Sequence, residues 1–223
     1  MIVGKDGKVL FEQSVGYGNF EWDIKHSNKS KVRIGSITKQ FTAMLILQLA
    51  QDGKLKLDDH RATYLPNYRQ AIATKITIRQ ILNHTSGLGN YTQAKSFRDE
   101  YSRNPYSVDE FIRLLCSDDL VFEPGTEFRY SNSGYFILGA VIEKVTGQKY
   151  QDVLQKNILD PLDMKNTGYD SHNKVIKFRV SGYDNGLAGY SNTDYLDMSI
   201  PYAAGSMYST ARDLLKWDQA LYT

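Results

Sequence analysis

The stretch that most constrains this chain is Ile34-Gly35-Ser36-Ile37-Thr38-Lys39, which runs directly into Gln40-Phe41-Thr42-Ala43-Met44-Leu45-Ile46-Leu47-Gln48-Leu49-Ala50. Across residues 41–50 only Thr42 and Gln48 interrupt the apolar run, so apolar side chains occupy the whole circumference of a helix. The pattern predicts a helix buried on most sides and ended by Gly53. At its start, Ser36 and Lys39 are three residues apart and share a helical face. A hydroxyl and an amine therefore meet at a helix N-terminus, where unpaired N–H groups and the helix dipole favour developing negative charge. The pair suits a nucleophile with a neighbouring base. It equally suits an N-cap serine followed by a solvated lysine. Spacing alone does not separate the two, since Ser171-His172-Asn173-Lys174 repeats it in a polar stretch with no apolar helix behind it.

With 223 residues the chain can bury a substantial core, and 41% hydrophobic and 23% charged residues are those of an ordinary soluble globular protein. A net charge of +2, with no basic run interleaved with aromatics, excludes nucleic acid as a partner. The single cysteine, Cys116, ends the apolar string Phe111-Ile112-Arg113-Leu114-Leu115, so it reads as a buried helical thiol and no internal disulfide can form. His26, His60, His84 and His172 are scattered without metal-ligand spacing; no metal or other cofactor is expected, and His84 reads as a helix-end hydrogen bonder. The sequence shows neither a signal-peptide pattern nor an apolar run long enough to cross a bilayer, and it assigns no compartment.

Asp6-Gly7 between Ile2-Val3 and Val9-Leu10-Phe11 predicts an antiparallel hairpin at the start. Residues 15–22, with Gly16 and Gly18, read as a bent strand or a close packing of backbone ahead of a polar loop. Thr77-Ile78-Arg79-Gln80 is a capping-box pattern opening a short helix that runs through Leu82 to His84 and Gly87; Ser107-Val108-Asp109-Glu110 repeats it ahead of the Cys116 helix. Residues 89–106 between them have no clear period and read as a long loop that is functional or covers a cleft. Ser131-Asn132-Ser133 caps a helix through Thr146 that stops at Gly147, and a further helix spans 148–157. Residues 168–202 read as a long irregular surface excursion, and Ser209-Thr210 caps a last helix.

Tyr130-Ser131-Asn132 is a weak motif by itself, because Tyr17/Asn19, Tyr183/Asn185 and Tyr190/Asn192 share its spacing. Only this copy joins a Pro-Gly loop to an apolar helix downstream of Ser36. Taken together, residues 34–43, Ile81-Leu82-Asn83-His84-Thr85-Ser86-Gly87-Leu88, residues 122–139, Pro161-Leu162-Asp163-Met164-Lys165-Asn166-Thr167 and residues 204–221 resemble the serine beta-lactamase and penicillin-binding-protein superfamily. The resemblance is to the class C beta-lactamase-like branch, which includes D-amino-acid peptidases and esterases, and the stretches follow the family's order.

That resemblance implies an α+β, beta-lactamase/transpeptidase-like fold with a small antiparallel sheet region and a larger helical region. Residues 1–35 would supply the first strands, and residues 36–223 the catalytic helix and the helical region. Ser36 would be the acyl-accepting nucleophile, Lys39 its partner, Tyr130 a proton shuttle and Asn132 a hydrogen-bonding group for the substrate's amide. A serine hydroxyl needs a base, and free lysine and tyrosine titrate near about 10.4 and about 10, so one of the two must be perturbed. Which one is left open by the residues. The family's third motif, Lys or His with a small residue and Gly on a late strand, has no counterpart here; Lys5-Asp6-Gly7 lies in the opening hairpin. The family's opening helix is missing too, and the sheet, which the family assembles from both chain ends, is expected to keep its first strands and lack the later ones, which predicts strand pairing between copies at an open edge. The expected activity is acyl-enzyme hydrolysis of a beta-lactam, D-alanyl peptide or small ester. The alternative is a non-catalytic binding or assembly module that keeps the fold, and the resemblance is compatible with export.

Overall fold

The computed structural model describes residues 1–222; residue 223, the last of the expected helical region, lies outside them. Strands β1 (Ile2–Lys5) and β2 (Lys8–Glu12) form the predicted hairpin, with Asp6 and Gly7 both at positive φ as a two-residue turn of this hand requires. The bent strand appears as β3 (Tyr17–Asn19), paired with β4 (Ile24–Lys25). β5 (Val32–Arg33) leads through a 3-10 turn at Gly35–Ile37 into α1 (Thr38–Gln51). Short helices α2 (Arg61–Tyr64), α3 (Gln70–Ala73) and α4 (Ile78–Leu82) follow, then α5 (Val108–Leu115), α6 (Asn132–Thr146) and α7 (Tyr150–Leu154). The chain closes with β6 (Gly168–Tyr169), β7 (Tyr183–Gly186), β8 (Gly189–Asn192), α8 (Tyr202–Gly205), β9 (Met207–Ser209) and α9 (Ala211–Ala220). The result is the expected α+β arrangement of small antiparallel sheets beside a larger helical body.

The caps form where the sequence places them. Thr77 and Gln80 make both bonds of a capping box, Ser131 accepts from Gly134 and Thr210 from Asp213; at Ser107 the expected box is half formed, with the Ser107 hydroxyl accepting from the Glu110 N–H and, among the described residues, no return bond from the Glu110 side chain. Gly147 ends α6 in the left-handed conformation. Cys116 is buried behind α5, and burial pushes its thiol up to about 12.

Helix α1 is buried on most sides, as expected: Phe41, Leu45, Ile46 and Leu49 are inside, and the exposed residues Gln40, Leu47 and Gln51 form a single narrow stripe. The most enclosed helix is α6, where every residue from Ser133 to Ile142 is buried. Its Gly139 lets α8 come close: a Cβ there would stand 2.4 Å from the Tyr202 ring and 2.5 Å from the Ala203 Cβ. One expectation changes: residues 168–202 are not merely a surface excursion. They contain β6 and the β7–β8 hairpin, and they return Met198 and Ile200 to the interior.

Strand β9 pairs with both β5 and β6, in the register Arg33 to Tyr208 and Gly168 to Tyr208. This three-stranded sheet holds the entrance to α1: the Met207 N–H donates to Thr38 Oγ1 at 3.2 Å, and the Ile34 N–H to the Met207 carbonyl at 2.9 Å. Among the described residues no helix is long and apolar enough to cross a membrane.

Candidate active site

Gly35, at φ +50°, turns the chain off β5 so that Ser36 stands on the 3-10 turn just ahead of α1. From the first turn of α1 the Lys39 side chain reaches back, with Nζ 3.2 Å from Ser36 Oγ. The lysine is 6% exposed and donates also to Asn132 Oδ1 and to the Ala204 carbonyl, both at 2.8 Å. Three donors meet three oxygens, so the ammonium is fully satisfied. No carboxylate is among these partners, and burial lowers its pKa to about 8.

Tyr130 arrives from the other side, on the last residue before the Ser131 cap of α6, and its hydroxyl donates to Ser36 Oγ at 2.6 Å. Its ring also faces Lys39, with Nζ 4.8 Å from the ring centroid. Asn132, the first residue of α6, turns Oδ1 to the ammonium and donates from Nδ2 to Asn90 Oδ1 at 3.2 Å. All four residues singled out in the sequence, Ser36, Lys39, Tyr130 and Asn132, therefore converge on one point.

Three groups around them carried no such sequence signal. The Ala204 carbonyl is a backbone atom, for which residue type gives no sign. Asn90 lies in the aperiodic 89–106 segment. His84 was legible as a helix-end hydrogen bonder, but not as a neighbour of Tyr130. Its Nδ1 accepts the Ser131 N–H at 3.2 Å and its carbonyl accepts the Arg129 N–H at 2.9 Å, so it holds the residues on both sides of Tyr130. Its ring packs against that of Tyr130, centroids 4.7 Å apart, and burial together with the Lys39 charge holds the imidazole below its ordinary pKa.

Ser36 and Asn132 open into a cleft of about 280 Å³ walled by Tyr91, Phe97, Leu196 and Ile200. Tyr91 and Phe97 come from the 89–106 segment, which thus covers a cleft as its length suggested. A hydroxyl held between an amine of lowered pKa and a phenol, at the mouth of an apolar cleft, is equipped to lose its proton to one neighbour and borrow one from the other.

The same arrangement of segments recurs in known proteins. Protein flp of Staphylococcus aureus (strain MRSA252) is 34% identical over 188 residues, which cover 82% of this chain and 37% of that protein. The structure of a penicillin-binding protein from Bacillus halodurans superimposes with a TM-score of 0.84 at 28% identity, covering 94% of this chain and 64% of that one. A D-amino acid amidase from Ochrobactrum anthropi SV3, complexed with L-phenylalanine, gives a TM-score of 0.81 at 30% identity over 93% of this chain and 59% of its own. The chain thus spans little more than a third of the Staphylococcus relative's length. The family model described as Beta-lactamase matches residues 1–222, and the chain belongs to the beta-lactamase family.

Proposed function

We propose that this chain is a serine hydrolase that cleaves an amide or ester through an acyl-enzyme on Ser36. The observation that carries the reading is the position of Ser36 Oγ, within hydrogen-bond distance of both Lys39 Nζ and the Tyr130 hydroxyl. Lys39, with a pKa of about 8, is the base: at pH 7 roughly a tenth of it is neutral and can take the Ser36 proton as Oγ attacks the acyl carbon. Tyr130 gives its proton to the departing nitrogen or oxygen and is reprotonated from Lys39. Asn132 presents the remaining N–H of its amide to the substrate. Water then attacks the ester on Ser36 by the reverse proton path.

Membership of the beta-lactamase family, and structural neighbours that include a penicillin-binding protein and a D-amino acid amidase, support amide or ester hydrolysis as the reaction class. Beta-lactams, D-alanyl peptides or D-amino-acid amides, and small esters are the substrates to compare. Turnover of a penicillin, D-phenylalanine amide and a 4-nitrophenyl ester by the wild type, Ser36→Ala, Lys39→Ala and Tyr130→Phe tests the assignment. The reading expects a loss of at least about a hundredfold in each variant on whichever substrate turns over. Wild-type turnover that survives Ser36→Ala contradicts it.

A further inference from the structure

Arg33 stands two residues before Gly35, on β5, and its side chain lines the same cleft as Ser36. Among the described residues lining that cleft it is the one charged side chain, set among Tyr91, Phe97, Leu196, Met198 and Ile200. The Lys39 ammonium lies close by, but its three donors are already taken by Ser36, Asn132 and Ala204. Arg33 is differently placed. Its Nε donates to Asp170 Oδ2 at 2.6 Å, and among the described residues neither terminal nitrogen has a protein acceptor. The Arg33 side chain is 41% exposed, whereas that of Asp170 is fully buried.

Asp170 does not neutralise the pair. Its second oxygen is taken by Arg179 Nη1 at 2.6 Å, so two guanidiniums share one carboxylate and a net positive charge is left. Arg179 also donates to the Ser171 carbonyl and is absent from the cleft wall. Burial alone would raise the Asp170 pKa, but the two arginines outweigh it and hold the carboxyl ionised. Asp197 is not among the residues lining this cleft; it lines a separate cavity and accepts the Ser199 N–H. The surplus charge therefore faces the cleft through Arg33, and a buried carboxylate holds the planar fork in place.

We propose that Arg33 is a substrate-recognition residue, and that the substrate carries a carboxylate beside the apolar group that fills this cleft. The inference rests on the serine-hydrolase reading for its chemistry but not for its binding step. Arginine pairs with a carboxylate through two parallel N–H···O bonds, and a charge-assisted bond at a part-exposed site is worth about a tenfold preference.

The test compares the 4-nitrophenyl monoester of glutarate with 4-nitrophenyl valerate, which has the same chain length and a methyl group in place of the carboxylate. The wild type is expected to favour the glutarate ester about tenfold in kcat/KM. In Arg33→Gln that preference disappears through KM, with valerate turnover within threefold of wild type. Arg33→Lys retains part of it. A second arm measures affinity without hydrolysis, by NMR titration of Ser36→Ala and Ser36→Ala/Arg33→Gln with 3-phenylpropionate and 3-phenylpropionamide. Tighter carboxylate binding that vanishes with Arg33 supports the inference even if both esters are inert, a result that would count against the hydrolase reading alone. Equal affinity for acid and amide overturns it, as does an equal fall on both esters in Arg33→Gln, which would make Arg33 a purely structural partner of Asp170.

Discussion

The Lys39 ammonium is buried against three neutral oxygens, and two measurable consequences follow from its lowered pKa of about 8. If neutral lysine is the base, the acylation rate rises about tenfold per pH unit below pH 8 and levels off above it. A rate already flat from pH 6 contradicts that role. Stability carries the same signature with a definite sign. Between pH 8 and the ordinary lysine value of 10.5 the unfolded chain holds a proton that the folded chain has released, so raising the pH favours the fold by at most about 1.4 kcal/mol per unit. Below pH 8 both states are protonated and this contribution is flat. Denaturant melts of wild type against Lys39→Met read it as a slope in the wild type that the variant lacks. His84 offers a second residue-scale test. Its φ of +62° suits Asn, and an Asn carbonyl can replace Nδ1 as acceptor for the Ser131 N–H. His84→Ala is expected to slow acylation about tenfold with the fold intact, and His84→Asn to recover most of it; equal rates in wild type and His84→Ala would remove His84 from the site. Ser36, Lys39, Tyr130 and Asn132 were singled out through the family resemblance of the segments around them, since their spacing alone left each one ambiguous. Ala204 was not, because a carbonyl acceptor leaves no trace in residue type.

Helices α6 and α8 carry the geometry from the core to the site. Tyr202 packs against Phe136 and Tyr150, centroids 4.8 and 5.3 Å away, and the next two carbonyls, of Ala203 and Ala204, accept from Thr42 and Lys39. Gly139→Ala puts a methyl into the Tyr202 and Ala203 contacts, an overpacking that costs about 1–3 kcal/mol. It is expected to lower both Tm and the acylation rate, because α8 must move and take the Ala204 carbonyl with it. Unchanged acylation at a lowered Tm would show that α8 does not control Lys39. Capped helices of eight residues or more were readable from the sequence, since cap and period agree in α5, α6 and α9 and Gly147 adds a stop to α6. The 168–202 segment was not. Strand β6 has two residues and no period to read, and in the β7–β8 hairpin the turn falls on Leu187-Ala188, after the Asn185-Gly186 pair that looks like one.

Across the whole molecule, the site joins parts far apart in sequence: the Lys39 bonds to Asn132 and Ala204 span 93 and 165 residues, and the Tyr130 bond to Ser36 spans 94. Such a constellation exists only in the folded state. Its protection should follow the core, so amide exchange is expected to be slowest in α6 and α1 and faster in the β1–β2 and β7–β8 hairpins, whose side chains are largely exposed. Hairpins as protected as α6 would contradict that ordering. The central claim is that this folded arrangement makes Ser36 a nucleophile, and intact-mass spectrometry after incubation with a fluorophosphonate tests it most directly. One adduct per chain is expected, mapped to the peptide containing Ser36 and absent in Ser36→Ala. A folded wild type that takes no label, or a label that persists in Ser36→Ala, would contradict it.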